Sequence, residues 1–196
     1  MLSEDNNAEN RKKDHIDLAF ESQTLKMEND TRFYYEPILG AHSKNTDHLH
    51  LNFLDKKMKA PIWISSMTGG AEKAGHINKN LAKACNEFGL GMGLGSCRSL
   101  LYSDEHFHDF NLRKDIGDQP FFANLGIAQV ESLLAENKTV LIDEMLKKLE
   151  VDGLIVHINP LQEWMQPEGD KYYQSPLVTL KQLCDKVSTK IIVKEV

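Results

Sequence analysis

"GLIVHINPLQEWMQPEGD", Gly153 to Asp170, is the stretch on which the fold turns. It opens as a short apolar run rich in β-formers, the pattern of a buried strand. It then collects His157, Asn159, Gln162 and Glu163, and beyond them Gln166, Glu168 and Asp170, with Pro167 and Gly169 between. In parallel α/β proteins, functional groups gather at the C-terminal ends of strands. Polar crowding at the close of an apolar run therefore marks one rim of a sheet.

The same pattern repeats on either side. "PIWISS" (61–66), "LGMGLGS" (90–96), "PFFANLG" (120–126) and "IIVKEV" (191–196) read as further strands. "AGHINKNLAKACNEFG" places Ile77, Leu81, Ala84, Cys85 and Phe88 on one helical face, with Gly89 where a C-cap glycine belongs. "TVLIDEMLKKLE" carries the stripe Ile142, Met145, Leu146 and Leu149, and "PLVTLKQLCDKV" reads as another helix. Strand and helix alternate from Pro61 onward, which argues for parallel βαβ units. Two architectures fit, an open doubly wound sheet and a (β/α)8 barrel. Five strands do not close an eight-stranded barrel, and a typical barrel needs about 250 residues. Residues 1–60 are read as an N-terminal arm and barrel-capping segment. Within it, Ile16, Ala19 and Phe20 space a short amphipathic helix, and residues 30–60 are irregular. Residues 61–196 form the partial barrel.

The bulk numbers set bounds. A chain of 196 residues with 41% hydrophobic and 27% charged residues is a globular domain with a real core. Its net charge is -6, with no basic block beyond Arg11-Lys12-Lys13, which argues against a general nucleic-acid binder. Three scattered cysteines, Cys85, Cys97 and Cys184, match neither a disulfide framework nor a zinc pattern, and a cytoplasmic setting is the simplest reading. The polar, acidic start is no secretory signal. No apolar run approaches the ~20 residues of a membrane span.

Polar groups close each strand in turn: "SSMTGG", "GSCR", "NLG", "HINPLQE" and "KE". "SSMTGG" offers hydroxyls and closely approachable backbone, although an ordinary βα turn is the plain alternative. The glycines of "GMGLGSCR" lie within a strand rather than in a turn opening a helix, so they are no dinucleotide fingerprint. They suit a flat group lying close to the backbone, or simply a strand of small residues. Asn124 ends an apolar strand. Lys194 follows three β-branched residues and is expected to point into a site, since an unpaired buried ammonium is costly. Arg11 and Lys12 are solvated charges or an anion-capturing pair. Glu163 is the natural hard-metal ligand, because Mg²⁺ often takes one or two carboxylates plus substrate phosphates. His106 and His108 lack an apparent third ligand and are read as loop residues.

Taken in order, "RKKDH", "ISSMTGG", "GMGLGSCR", "ANLG", "HINPLQEWMQPEGD" and "IIVKEV" resemble the type 2, flavin-dependent isopentenyl-diphosphate isomerase family over residues 11–196. The resemblance implies a (β/α)8 TIM-type barrel, here incomplete at about five βα units, with an N-terminal helical arm. It implies FMN, Mg²⁺ and reduction by NADPH, and interconversion of isopentenyl and dimethylallyl diphosphate in isoprenoid biosynthesis. It assigns Ser66, Met67, Thr68, Ser96, Asn124 and Lys194 to the flavin. Arg11, Lys12, Arg98, His157 and Asn159 fall to the diphosphate, Gln162 to a place beside the isoprene, and Glu163 to Mg²⁺. His157 and Gln162 are the catalytic candidates. A homo-oligomer is implied for the full-length protein, with Arg11 and Lys12 reaching a neighbouring subunit's substrate. Two departures stand out. Cys97 replaces the family's usual Gln, and family members continue beyond "IVKEV" with a Gly and three more βα units. A truncated or interrupted member is therefore expected. The competing readings are an inactive fragment of such an enzyme and another FMN barrel, such as a 2-hydroxy-acid oxidase relative.

Overall fold

A computed structural model describes residues 8–22, 36, 38–41, 49–66, 72–167 and 169–195. The chain divides into two compact units, Met1–Lys44 and Asn45–Val196. In the first, Ala8–Glu21 forms helix α1, on which Ile16, Leu18 and Phe20 are exposed.

The second unit begins with an antiparallel hairpin, β1 (Leu51–Phe53) and β2 (Lys56–Met58). Its two turn residues, Leu54 and Asp55, have φ of 49° and 65°, the left-handed conformation a two-residue hairpin turn requires. Sequence expects irregular structure here, because the turn lacks the Asn-Gly or Asp-Gly signal. A five-stranded parallel sheet follows: β3 (Trp63–Ile64), β4 (Gly91–Gly93), β5 (Phe121–Gly126), β6 (Gly153–His157) and β7 (Lys190–Lys194). The strands lie side by side in chain order. The order reversal that defines a doubly wound sheet is absent from these strands.

The sheet is curled. Flat, the four steps from β3 to β7 would separate their axes by about 19 Å. A lysine's four-carbon stem covers only about a third of that. Yet Lys194 Nζ, on β7, comes within 3.4 Å of the Ser66 carbonyl beyond β3. The sheet is thus a half-barrel with one concave and one convex face.

Helices cover the convex face. They are α2 (Glu72–Phe88), α3 (Phe107–Phe110), α4 (Arg113–Ile116), α5 (Ile127–Ala135), α6 (Val140–Leu149) and α8 (Pro176–Lys186), with a 3-10 turn at Arg98–Leu101; α7 (Pro160–Met165), which buries none of its residues, follows the end of β6. Alternate strand residues Met92, Leu94, Phe121, Ala123, Leu125, Leu154 and Val156 pack there against Val130, Leu133, Ile142, Met145, Leu149 and Leu183. Each such side chain contributes about 1.5–3 kcal/mol on burial. Gly89, at φ 67°, ends α2 as the sequence requires. The buried face of α2 differs from expectation: Ala74, Asn78, Ala82 and Cys85 turn inward, while Ile77 and Phe88 are exposed. Small residues win because α2 lies close to α3. A Cβ on Gly75 would meet Asp109 Oδ1, and Asn78 Nδ2 donates to the Asp109 carbonyl. The sequence reading also passes over α5, which leaves β5 without an intervening loop.

At the N-terminal end of the half-barrel, Phe53, Trp63 and Phe122 meet edge to face, with centroids 5.1–6.3 Å apart. Beside them Asp152 receives Arg113 Nη2 at 3.0 Å, the Phe121 N–H at 2.8 Å and Lys56 Nζ at 3.3 Å. Arg113 also donates to the carbonyls of Gly117, Gln119 and Glu150. This brace ties the hairpin to the starts of β5 and β6.

Candidate active site

The opposite end is built differently. Parallel register sets Gly126, His157 and Lys194 side by side at the ends of β5, β6 and β7. Strand alternation then sends Asn124, Ile155, His157, Ile192 and Lys194 to the concave face. They overlook a cavity of about 330 Å³ whose lining includes Trp63, Ser66, Ile155, Ile192 and Lys194. The floor and walls are apolar, and the polar groups sit at the mouth.

Glycine lets the wall of this cavity close onto β4. A Cβ on Gly93 would lie 2.5 Å from both Ile155 Cδ1 and Ser66 Oγ. The Ser66 hydroxyl is buried and has no hydrogen-bond partner among the described residues. Most buried polar groups are satisfied, so an orphan at a cavity wall points to a ligand. Lys194 is half-buried and pairs with Glu195 at 2.7 Å.

His157 Nδ1 donates to Asn124 Oδ1 over 2.7 Å, and Asn124 is almost fully buried. The amide oxygen only accepts, so the proton sits on Nδ1 and leaves Nε2 unprotonated in the neutral ring. Burial holds the imidazole below its ordinary titration range; nearby Lys194 pushes the same way, and Glu195 and Glu163 oppose it.

A second cluster lies along the rim. Arg98 pairs with Asp170 at 2.5 Å, and Gln129 Nε2 donates to the same carboxylate oxygen at 2.6 Å. The Asp170 backbone N–H donates to Glu163 Oε2 at 2.7 Å. Arg98 opens onto a separate pocket of about 210 Å³ with Tyr102, Gln129 and Lys171. Asn159 donates to Gln162 at 3.2 Å, and both border a hollow shared with Glu195. Ser96 is exposed.

The structure thus puts Ser66 and Lys194 on the lining of one cavity, with His157 beside Lys194 in register and Asn124 bonded to His157 on the same face of the sheet. Arg98 and Glu163 join through Asp170, and Asn159 and Gln162 form their own pair. Met67 and Thr68 lie outside the described residues, as do the side chains of Arg11 and Lys12 in α1. Cys97 is fully buried in the core, its thiol donating to the Gly95 carbonyl, so it does not face the mouth. Burial pushes that thiol up to about 12. His106 and His108 flank buried Asp109 at 3.6 and 3.1 Å. Among the described residues, no three His, Cys, Asp or Glu side chains gather to hold a metal. Nor is any described helix long and apolar enough to cross a membrane.

Sequence reasoning missed Gln129 and left Asp170 without a role. Gln129 stands three residues after Gly126, the capping-box spacing, and its Oε1 accepts the Gly126 N–H at 2.9 Å. That spacing was the available signal.

No protein-family model matches the chain. Curated proteins do. The chain is 39% identical over 194 residues to a protein of Nostoc sp. named isopentenyl-diphosphate delta-isomerase, covering 96% of this chain and 54% of that protein. Identically named proteins of Cronobacter sakazakii and Rickettsia typhi are 37% and 36% identical, over 95% and 100% of this chain. Those alignments cover 54% and 57% of the two relatives. The chain therefore spans little more than half the length of these curated relatives, and homologues bearing that name match it at 35–39% identity along most of its own.

Proposed function

We propose that this chain is part of an isomerase that interconverts isopentenyl and dimethylallyl diphosphate, of the flavin-dependent type, on a (β/α)8 barrel to which it contributes five strands. The observation that carries the reading is the cavity mouth. A buried Ser66 hydroxyl with no partner among the described residues and the Lys194 ammonium line one apolar hollow, and the Asn124–His157 pair lies on the neighbouring strands, on the same face. The names of the homologues supply the substrate.

The reaction moves a double bond, so a proton is added at one carbon and another is lost nearby. An apolar hollow suits the hydrocarbon, and a cationic and amide-lined rim suits the diphosphate. FMN fits the lining at its ring end: Trp63, Ile155 and Ile192 offer an apolar surface, Ser66 a hydroxyl and Lys194 a charged donor. When bound and reduced, it supplies the electron-rich surface and the acid/base groups of the reaction. Mg²⁺ fits Glu163, whose Oε1 has no partner among the described residues, because this ion often uses one carboxylate plus substrate phosphates. The side chains of this chain bind and orient. His157, held as the Nδ1–H tautomer, presents Nε2 toward the rim, and Arg98 brings a guanidinium suited to bidentate anion contact. Anchoring a diphosphate in this way supplies binding energy that fixes the hydrocarbon over the hollow.

The test uses the 196-residue chain. Purified and mixed with FMN, it should turn yellow with quenched flavin fluorescence. After dithionite reduction with Mg²⁺ it should convert isopentenyl diphosphate to dimethylallyl diphosphate. A folded chain that takes up FMN but leaves this substrate unchanged would favour the competing reading, an inactive fragment of such an enzyme. A folded chain that takes up no FMN would remove the cofactor.

A further inference from the structure

Gln129 is the residue at the rim whose two ends do opposite work. Its Oε1 accepts the Gly126 N–H at 2.9 Å, and its Nε2 donates to Asp170 Oδ2 at 2.6 Å. The same carboxylate oxygen receives Arg98 Nη1. Gly126 makes this possible, since a Cβ there would come within 2.3 Å of Gln129 Oε1 and 3.0 Å of His157 Nε2. The amide is therefore seated between the end of β5, beside His157, and the segment after α7. Two positions on, Glu131 accepts the N–H groups of Tyr173 and Gln174 at 2.8 and 3.1 Å. Helix α5 thus clamps residues 170–174 at two points.

The chemistry at position 129 admits few side chains. A carboxylate could accept from Gly126 but would face Asp170 with like charge. A lysine or arginine could donate to Asp170 but has nothing to accept with, and asparagine is one methylene short. Arg98 is more than half exposed, at 57% of its side chain, and among the described residues it pairs with Asp170 alone. Freed from it, a flexible exposed arginine spreads over many rotamers. Held there through Nη1, it keeps its remaining donors for an anion.

We propose that Gln129 is a positioning residue: its amide locks Asp170 to the end of β5, and Asp170 in turn aims Arg98 and seats Glu163 for a diphosphate. This rests on the diphosphate reading of the rim given above. Two variants of the whole chain test it. Gln129→Glu keeps the Gly126 contact and loses the donor to Asp170. Gln129→Glu with Asp170→Asn exchanges carboxylate and amide, so the hydrogen bond re-forms in reverse at unchanged net charge. The readouts are calorimetric affinity for inorganic pyrophosphate with Mg²⁺, and hydrogen exchange of the 169–174 backbone, with β5 and β6 amides as the folding control. Gln129→Glu should weaken pyrophosphate binding about tenfold or more and speed exchange in 169–174; the swapped pair should restore slow exchange but not affinity, since the new amide at position 170 then turns its Nδ2 to the place where Asp170 Oδ2 receives Arg98. Wild-type affinity in Gln129→Glu, or fast exchange in 169–174 that the swapped pair leaves uncorrected, would overturn the proposal. If the unaltered chain binds no pyrophosphate, the diphosphate reading fails by itself. Hydrogen exchange then decides the clamp: faster exchange in Gln129→Glu that the swap reverses keeps Gln129 as the residue holding the loop, and unchanged exchange removes it.

Discussion

His157 and Asn124 meet across adjacent parallel strands, Nδ1 to Oδ1, at 2.7 Å. The contact joins a half-buried titrating ring to a nearly inaccessible amide. It fixes which ring nitrogen carries the proton and which faces the rim.

The pH dependence follows from burial. The folded state prefers neutral His157, so it binds fewer protons than the unfolded chain, whose ordinary value is 6.5. The stability this represents is present above that value and is lost as pH falls below it. Urea midpoints should therefore drop between about pH 7.5 and about pH 5.5, and His157→Gln should flatten part of that drop. Pyrophosphate binding near neutrality should take up a proton, because an anion beside the ring favours its charged form. Calorimetry in buffers of different ionisation enthalpy reads the uptake, and none should appear in His157→Gln.

Ser66 makes a cleaner case for a ligand than for stability. Its buried hydroxyl has no partner among the described residues, so Ser66→Ala should leave stability within about 0.5 kcal/mol of the parent or raise it. FMN titration by fluorescence quenching should nonetheless show weaker binding, and Lys194→Ala should weaken it further. Unchanged flavin affinity in both would take the cofactor away from this wall.

Glu163→Gln separates charge from shape. The amide oxygen can still accept the Asp170 N–H, so exchange in 169–174 should stay as it is. The Mg²⁺ concentration that supports half-maximal turnover should rise about tenfold or more, with flavin still bound.

The thiols report on packing. Cys85 and Cys97 are fully buried and Cys184 is exposed. A chromogenic thiol reagent should find Cys184 quickly in the native chain and all three cysteines in denaturant. Rapid native labelling of Cys97 would contradict its place in the core.

Strand ends were legible from sequence where polarity changes abruptly, with His157 closing "GLIVH" and Lys194 closing "IIVK"; Asn124, read as a strand end, lies two residues inside β5. Period-two burial carried those residues to one face without further information. The curl of the sheet was not legible, since it depends on how helices pack over the convex side. Nor was the inward face of α2, where close approach to Asp109 favoured Ala74 and Ala82 over the larger Ile77. The β1–β2 turn escaped because Leu54 occupies a left-handed conformation usually left to glycine or asparagine. Among site residues, Gln129 was hidden by its ordinary helical setting; its importance lies in Asp170, 41 positions away.

The Lys56–Arg113–Asp152 brace and the aromatic floor lie at one end of the half-barrel, and the groups proposed for chemistry hang over the other. Side chains at the rim can therefore be exchanged with little penalty to the scaffold beneath. Directed evolution that randomises the rim positions 96, 98, 159 and 162 should yield mostly well-expressed proteins, whereas the same library built on 56, 113 and 152 should yield mostly insoluble ones.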